Sequence, residues 1–525
     1  MNEYGIVIGQ ADPQSFEFNI IDRSNRPVSY EYVQVTVEEP QSDGTIEKIQ
    51  VLGQVKHIKS SHPFYDERTT PSAARKQMEL GVGEELIQVF AYCKILGYIH
   101  EENGRSEVRR PRSPPMPGTP VYRASDKLLQ KLFGVGENDV PLEVGHLLHR
   151  EGIAVSVSGK ELHRHTAILA MTRYGKSYFA GRIIEQLIRQ GASILVIDAH
   201  GDYANMVNAP DDTQHDYFRD KVTVFRPESA EAFDAPHVEQ LRLGVHQCGF
   251  SELCRLARIE GSLQRIYLRR AINEVKAEKP TYSLDDLSAK LSDYMEARAA
   301  DERRRIARII ERLEDLSEQG IFGEGELDVS IFFKPQHLSS IFLSGISDYT
   351  QDVIVGMILR RVFDTKYRHK QKLPIFVFVE EAHRFAAPPD EGGGKFSRDI
   401  LARIAAEGAK FGVFLTVISQ RPRRIDPDIL SNCSNLAILR VVNSQDQYTI
   451  QAASESFSED LLTDLPALEQ GEAVLVGPFV PVPVMIKTAK RETKHGGRTP
   501  DIADLLRQAR EDEEIKRRRE SFKLH

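Results

Sequence analysis

One stretch limits the fold more than any other. Residues 165–198, HTAILAMTRYGKSYFAGRIIEQLIRQGASILVID, read as a short apolar strand, a loop, an amphipathic helix and a second apolar strand. The loop closes on Arg173-Tyr174-Gly175-Lys176-Ser177, the end of a GxxxxGK[ST] phosphate-loop pattern. Ala170 stands where the first glycine of that pattern is usual, and Met171, Thr172, Arg173 and Tyr174 fill the variable positions. Phe179, Ile183 and Leu187 then recur on one helical face until Gly191 offers a stop, and the next strand ends in Asp198. Backbone N–H groups of such a loop and helix start converge on one point and favour a polyphosphate there. Lys176 is placed for the β and γ phosphates and the Ser177 hydroxyl for Mg²⁺. A Gly-Lys-Ser triplet is common by chance, and the plain alternative is an ordinary helix N-terminus. Its setting between a buried strand and a helix, with an acid-tipped strand beyond, points to a nucleotide site.

Composition excludes several classes. A chain of 525 residues, 41% hydrophobic and 28% charged, has material for two or three domains and a substantial core, as in a soluble globular protein. A net charge of −8 argues against a wholly basic nucleic-acid coat, although a local basic channel is compatible with an acidic exterior. Cys93, Cys248, Cys254 and Cys433 form neither a CxxC pair nor a zinc-spaced cluster, which suits reduced thiols in a cytoplasmic protein. No leader-like N-terminus and no run able to span a bilayer is visible, so no membrane insertion is expected.

Before the phosphate loop, residues 5–9, 16–20, 30–37 and 49–58 carry β-branched and aromatic residues between Asp-Pro, Asn-Arg-Pro and Asp-Gly turns, the pattern of a small barrel. Residues 108–122, with RRPRSPPMPGTPVY, read as a stiff Pro-rich connector; its arginines could touch phosphate, but a solvated linker is the simpler reading. Residues 142–159 are either the last barrel strands or a lead-in to the core. After Asp198 the turn His200-Gly201-Asp202-Tyr203 leads to a strand at 222–225, and 229–319 turns helical, with segments 262–276, 284–298 and 303–316.

The second informative stretch is 373–385, LPIFVFVEEAHRF, a buried strand tipped by two carboxylates. In phosphate-loop ATPases one acid there holds Mg²⁺ and the next orients the attacking water, which assigns Glu380 and Glu381 respectively. Two acids merely capping a strand are the alternative. A further strand at 413–418 runs into Ser419-Gln420-Arg421-Pro422, placing Gln420 on the ligand edge of a parallel sheet, where it can sense the γ-phosphate or water. The strand expected at 436–441 contains Arg440, an odd charge in apolar company. Residues 473–476 and 481–487 suggest a closing antiparallel pair. The tail from 501 ends in a charged run with Lys516-Arg517-Arg518-Arg519, read as a solvated helix or a brace on a neighbouring subunit.

In their order, GIVIG, RRPRSPPMPGTPV, RHTAILAMTRYGKS, VIDAHGDY, FVEEAH, FGVFLTVISQRP, ILSNCSNLAILRV and LPALEQGEAVLVG resemble the HerA family of the HerA/FtsK group of motor ATPases over nearly the whole chain. The resemblance implies an α/β protein: a small N-terminal β-barrel with connector (1–160), a RecA-like P-loop core (161–228 and 335–495) with a helical insertion (229–334), and a charged tail (496–525). It also implies a homohexameric ring that hydrolyses ATP with Mg²⁺ while moving along double-stranded DNA. By the same resemblance Asp198 matches an acid of the site. Arg164 and Arg440 are candidates for charges acting on ATP, one of them across a subunit interface; a local salt bridge or cap is the alternative for each. Ala406 and Ala409 stand where the family often has arginines, leaving Arg403 a poor substitute. Glu380 replaces a commoner Asp, and Ala170 is workable if its backbone needs no positive φ.

The leading expectation is an ATP-driven duplex translocase or helicase serving a partner nuclease or other effector in repair or defence. Residues 384–398, with Arg384, Lys395 and Arg398, are the candidate pore loop, whose contacts would be phosphate-directed and salt-sensitive; a surface loop is the alternative. A different class is an ATP-binding scaffold ring that activates an antiphage effector, with DNA movement secondary. A secretion or conjugation ATPase is disfavoured by the absence of an anchor, and a tandem-core helicase by the single phosphate loop.

Overall fold

The computed structural model describes residues 2–511 apart from 42–43, 64–68, 80–85, 103–104, 137–138, 229, 231–236, 297, 324–326, 370–371, 390–395, 455–456, 458, 497–501, 503–505 and 508. The chain divides into two compact units: 1–195 with 328–337 and 348–490, and 196–327 with 338–347 and 491–525.

The first unit opens with β1 (Glu3–Ile8), β2 (Ser15–Ile20), β3 (Tyr32–Pro40), β4 (Ile46–Ser61), β5 (Gln88–Glu102), β6 (Arg105–Arg109) and β7 (Pro120–Arg123). The strands run antiparallel in the order β2-β1-β7-β3-β4-β5, and pairing of β2 with β5 closes a six-stranded barrel, with β6 attached outside it to β5. Closure leaves the ring without a free edge. Its interior is filled by alternating residues, among them Val7, Phe16, Phe18, Val33, Val35, Val51 and Val121. Register shifts at Leu52/Gly53 and Val55/His57 bend the long β4 around the ring. The sequence reads all of 108–122 as connector, but its end is the barrel strand β7, held between β1 and β3. Val121 is fully buried there, and Pro120 occupies the first strand position, where a missing N–H is tolerated. Upstream, the backbone N–H groups of Arg112 and Ser113 donate to the Glu39 carboxylate. The barrel is tied to the rest of its unit by Asp464, which accepts from the Tyr30 hydroxyl (2.7 Å) and lies 3.4 Å from the Lys56 ammonium.

Next come β8 (Pro141–Leu147), β9 (Arg150–Ser158), β10 (Thr166–Leu169) and β11 (Ser193–Asp198), within which the chain passes into the second unit. That unit contains β12 (Val222–Arg226), β13 (Val238–Gln240), β14 (Leu243–Gly244), β15 (Phe322–Gly323) and most of β16 (His337–Phe342). Strands β13, β12 and β16 are parallel neighbours. Between β14 and β15 run the helices Phe250–Leu256, Ser262–Glu278, Leu284–Met295 and Ala300–Glu318. Ile306, Ile309, Leu313 and Leu316 are buried at helical spacing, as are Leu284, Leu287 and Leu291. A Ser283/Asp286 capping box starts the third of these helices. Parallel pairing of β14 with β15 clasps the root of the insertion.

The chain returns to the first unit with the helix Asp348–His369, then β17 (Ile375–Val379), β18 (Val413–Ser419), β19 (Asn435–Ile438), β20 (Glu472–Val476) and β21 (Val484–Thr488). The sheet order there is β17-β18-β10-β19-β20-β21-β8-β9. The first four strands are parallel and the remainder antiparallel. Residues 142–159 are therefore a lead-in to the core sheet and not part of the barrel. Every residue of β10, β17 and β19 is buried, as strands covered on both faces require.

Candidate active site

Parallel strands β10, β18 and β17 place the phosphate-loop sequence, Ser419-Gln420 and Glu380-Glu381 on the same carboxyl edge of the sheet, where α/β proteins bind ligands. The acid-tipped strand is not the direct neighbour of the loop strand: β18 lies between them, so its polar end faces both. Positive φ in the loop falls on Arg173 (70°) and Gly175 (98°) and not on Ala170. Alanine therefore carries no backbone strain at the position where the pattern has glycine. The Ala170 N–H donates to the Ser419 carbonyl (3.2 Å), the Met171 N–H to the Arg440 carbonyl (2.9 Å), and the Gly471 N–H to the Tyr174 carbonyl (3.3 Å). The helix Lys176–Arg189 follows, and it buries Phe179, Ile183 and Leu187 together with Ala180, Ile184 and Ile188. Its first turn presents N–H groups that have no intrahelical partner, with Ser177 buried and Tyr178 half-buried there.

The structure brings together the residues that the sequence separates by two hundred positions. The Lys176 ammonium lies 2.9 Å from Glu381 Oε1 and 3.8 Å from Glu380 Oε1. Both carboxylates are buried, Glu380 completely. Burial opposes ionisation of Glu381, but a hydrogen bond from His383 and the charge of Lys176 outweigh it and hold the carboxyl down at about 2. Glu381 adopts φ 47°, ψ 44°, a left-handed conformation that costs on the order of 1 kcal/mol or more for a residue with a Cβ. The Thr172 hydroxyl donates to Gln420 Oε1, joining the start of the loop to the end of β18. His383 and Ser419 are the members of the cluster that sequence reasoning did not assign. The only signal for them is position, two residues beyond Glu381 and one before Gln420.

Other candidates are held in different ways. Arg440 lies beyond the end of β19 and so on the ligand edge, which explains a charge that looked misplaced inside a strand. Its guanidinium sits over the Tyr174 ring, 5.0 Å from the centroid, and its Nε is buried without a hydrogen-bond partner. Arg164 is half-exposed and pairs locally with Glu161 at 2.8 Å. Asp198, in the second unit, accepts N–H groups from Gly201 (2.7 Å), Asp202 (3.0 Å) and Tyr203 (3.1 Å) and the Ser340 hydroxyl (3.2 Å). Burial, reinforced by the charge of Asp202, raises its carboxyl to about 6 in spite of those donors. Arg384 pairs with Asp348. Arg398 meets Asp426 through both Nε and a terminal nitrogen at 2.7 Å. Lys395 lies outside the described residues.

A half-buried lysine of a phosphate loop beside paired buried acids on a parallel sheet defines a phosphate-loop ATPase, an ATP-hydrolysing enzyme. The family model described as "Helicase HerA, central domain" matches residues 142–362. The chain is 31% identical to the DNA double-strand break repair helicase HerA of Pyrococcus furiosus, over 93% of this chain and 92% of that protein. It is 30% identical to the HerA of Sulfolobus acidocaldarius of the same description, over 77% and 79%. It is 32% identical to a Methanocaldococcus jannaschii protein that carries a helicase name, over 79% of each. The chain belongs to the HerA helicase family. Among the described residues, no helix is long and apolar enough to cross a membrane, and all four cysteines are free.

Proposed function

We propose that this chain assembles as a homohexamer that hydrolyses ATP with Mg²⁺ to move along double-stranded DNA, and that it serves a partner nuclease or other effector. The observation that carries the reading is the Lys176 ammonium held between Glu380 and Glu381. It supplies, in one place, a cation for phosphate, a carboxylate for metal and a carboxylate for water. The relatives named as DNA double-strand break repair helicases support duplex DNA as the track.

Residues Thr172, Arg173, Tyr174, Gly175, Lys176, Ser177 and Tyr178 would wrap the phosphates, with Asp198 shaping the turn after β11. The donors offered to a metal are a buried hydroxyl, Ser177, and a buried carboxylate, Glu380. Such hard oxygens suit Mg²⁺, which takes its remaining ligands from phosphates and water. Among the described residues no cluster of three or more His, Cys, Asp or Glu could cage a metal, which fits an ion shared with a nucleotide. Bound Mg²⁺ supplies charge neutralisation as the γ-phosphoryl is transferred. Phosphates compete with Glu381 for Lys176, and withdrawal of that ammonium raises the basicity of Glu381. The carboxylate then orients the water and accepts its proton as the oxygen attacks the γ-phosphorus and the bond to the ADP oxygen breaks. Gln420, next to the loop through Thr172, reports the state of the γ-phosphate to β18. Arg440 provides a nearby cation and Arg164 a more exposed one. Of the pore-loop candidates Arg384, Lys395 and Arg398, the two arginines already carry ion pairs with Asp348 and Asp426, and Lys395 is the preferred candidate for DNA phosphate.

The test is Glu381→Gln. It is expected to keep affinity for a non-hydrolysable ATP analogue and to lose turnover by about 10²-fold or more, the usual contribution of a positioned base. Full turnover in this variant contradicts the assignment.

A further inference from the structure

His383 is the member of the cluster that has no task in that reaction. It sits on the short turn Ala382–Arg384, two residues after Glu381, with a side chain only 11% exposed. Its Nδ1 is 3.2 Å from Glu381 Oε2 and 3.2 Å from Ser419 Oγ. Ser419 is fully buried at the end of β18, and its Oγ also accepts the Arg421 N–H at 3.0 Å.

The Glu381 carboxylate is therefore gripped from two sides. Lys176 lies 2.9 Å from Oε1, and His383 Nδ1 approaches Oε2 to 3.2 Å. Nδ1 carries at most one hydrogen and faces both Glu381 Oε2 and Ser419 Oγ, so the three groups share one polar contact point. The two anchors have different fates. Lys176 belongs to the phosphate loop and is the group that a triphosphate claims. His383 comes from the same turn as Glu381, and the two groups that its Nδ1 faces, Glu381 and Ser419, both lie outside the phosphate loop, so these contacts do not depend on where Lys176 points. Glu381 needs such an anchor, because its left-handed backbone gives it no strand or helix to hold it.

We infer that His383 is a positioning residue: through Nδ1 it keeps Glu381 aimed once Lys176 has moved to phosphate, and through Ser419 it ties that carboxylate to the strand end carrying Gln420. The contacts then form a circuit from Lys176 to Glu381, His383, Ser419-Gln420 and back to the loop at Thr172. A change in the phosphate at one point of the circuit is felt at the others. The inference rests on the reading of Glu381 as the hydrolytic carboxylate.

The experiment compares ATP turnover and affinity for a non-hydrolysable ATP analogue in the full chain and in His383→Ala, His383→Asn and Glu381→Gln. His383→Ala is expected to lower kcat roughly tenfold to a hundredfold, the range seen when a hydrogen bond orienting a functional group is lost. Analogue affinity is expected to stay within about twofold, because the residue acts after Lys176 has bound phosphate. His383→Asn places an amide N–H where Nδ1 was and is expected to restore most of kcat; it also serves if the alanine variant fails to fold. Wild-type kcat in His383→Ala overturns the inference. So does a parallel loss of kcat and affinity in both His383 variants, which marks a merely structural residue. Full turnover in Glu381→Gln defeats the underlying reading instead, and is distinguishable because it does not depend on either His383 variant.

Discussion

At the scale of single residues, the site is a competition for one ammonium. Lys176 lies 2.9 and 3.8 Å from two buried carboxylates, and in the proposed reaction a phosphate draws it away from both. Removing it therefore has two effects: the nucleotide loses a charge-assisted hydrogen bond worth roughly 1.5–3 kcal/mol, and two buried acids lose a compensating cation. Lys176→Ala is expected to weaken ATP binding by roughly tenfold to a hundredfold, read by titration with a fluorescent analogue, the equivalent of that bond energy. Unchanged affinity would show that Lys176 does not meet phosphate. The clustering of Lys176, Ser177, Glu380 and Glu381 was legible in the sequence because each stands at the end of an apolar strand or the start of a helix, where the chemistry of side chain and backbone coincide. His383 was not legible, since one histidine after two acids has no spacing that distinguishes it. Its neighbour Ser419 comes from a strand that only the folded sheet brings alongside.

At the scale of elements, β18 is the piece that makes the site, because it lies between the strand of the loop and the strand of the acids. Its start is fixed by His165, whose buried Nδ1 accepts the Leu415 N–H at 2.9 Å and must therefore be unprotonated. Burial pushes this imidazole down to about 4 from an ordinary 6.5. A depressed folded value means that the unfolded chain binds the proton first. The stabilisation is complete above about 6.5 and is lost as the pH falls toward 4, by up to roughly 3 kcal/mol. Thermal unfolding between these limits is expected to show a steeper decline in the wild-type chain than in His165→Asn, whose side chain does not titrate. Equal slopes would remove His165 as the cause. The elements themselves were mostly legible: β10, β17 and β18 are unbroken apolar runs, and the insertion helices repeat at helical spacing. Strand β7 was hidden by the prolines around it, and β19 was read three residues too long because LAILRV stays apolar beyond Ile438. Strand order was not legible, since sequence periodicity carries no information about which strands pair.

At the scale of the whole molecule, the barrel, the insertion and the phosphate-loop core have to serve one motor. If Lys395 meets the DNA and Arg384 and Arg398 are anchors, the three should differ in their effects. Lys395→Ala is expected to leave basal turnover unchanged and to reduce the salt dependence of duplex binding, with a slope smaller by about 0.9 for each DNA phosphate that the variant no longer neutralises. Arg398→Ala, which removes the partner of Asp426, is expected to lower the melting temperature first. The measurement that tests the central claim most directly is the ATP turnover of the purified chain with and without linear duplex DNA, beside Glu381→Gln. A several-fold rise in turnover on adding duplex is expected, with almost no turnover in the variant under either condition. Turnover indifferent to duplex DNA, or undiminished in Glu381→Gln, would contradict the claim.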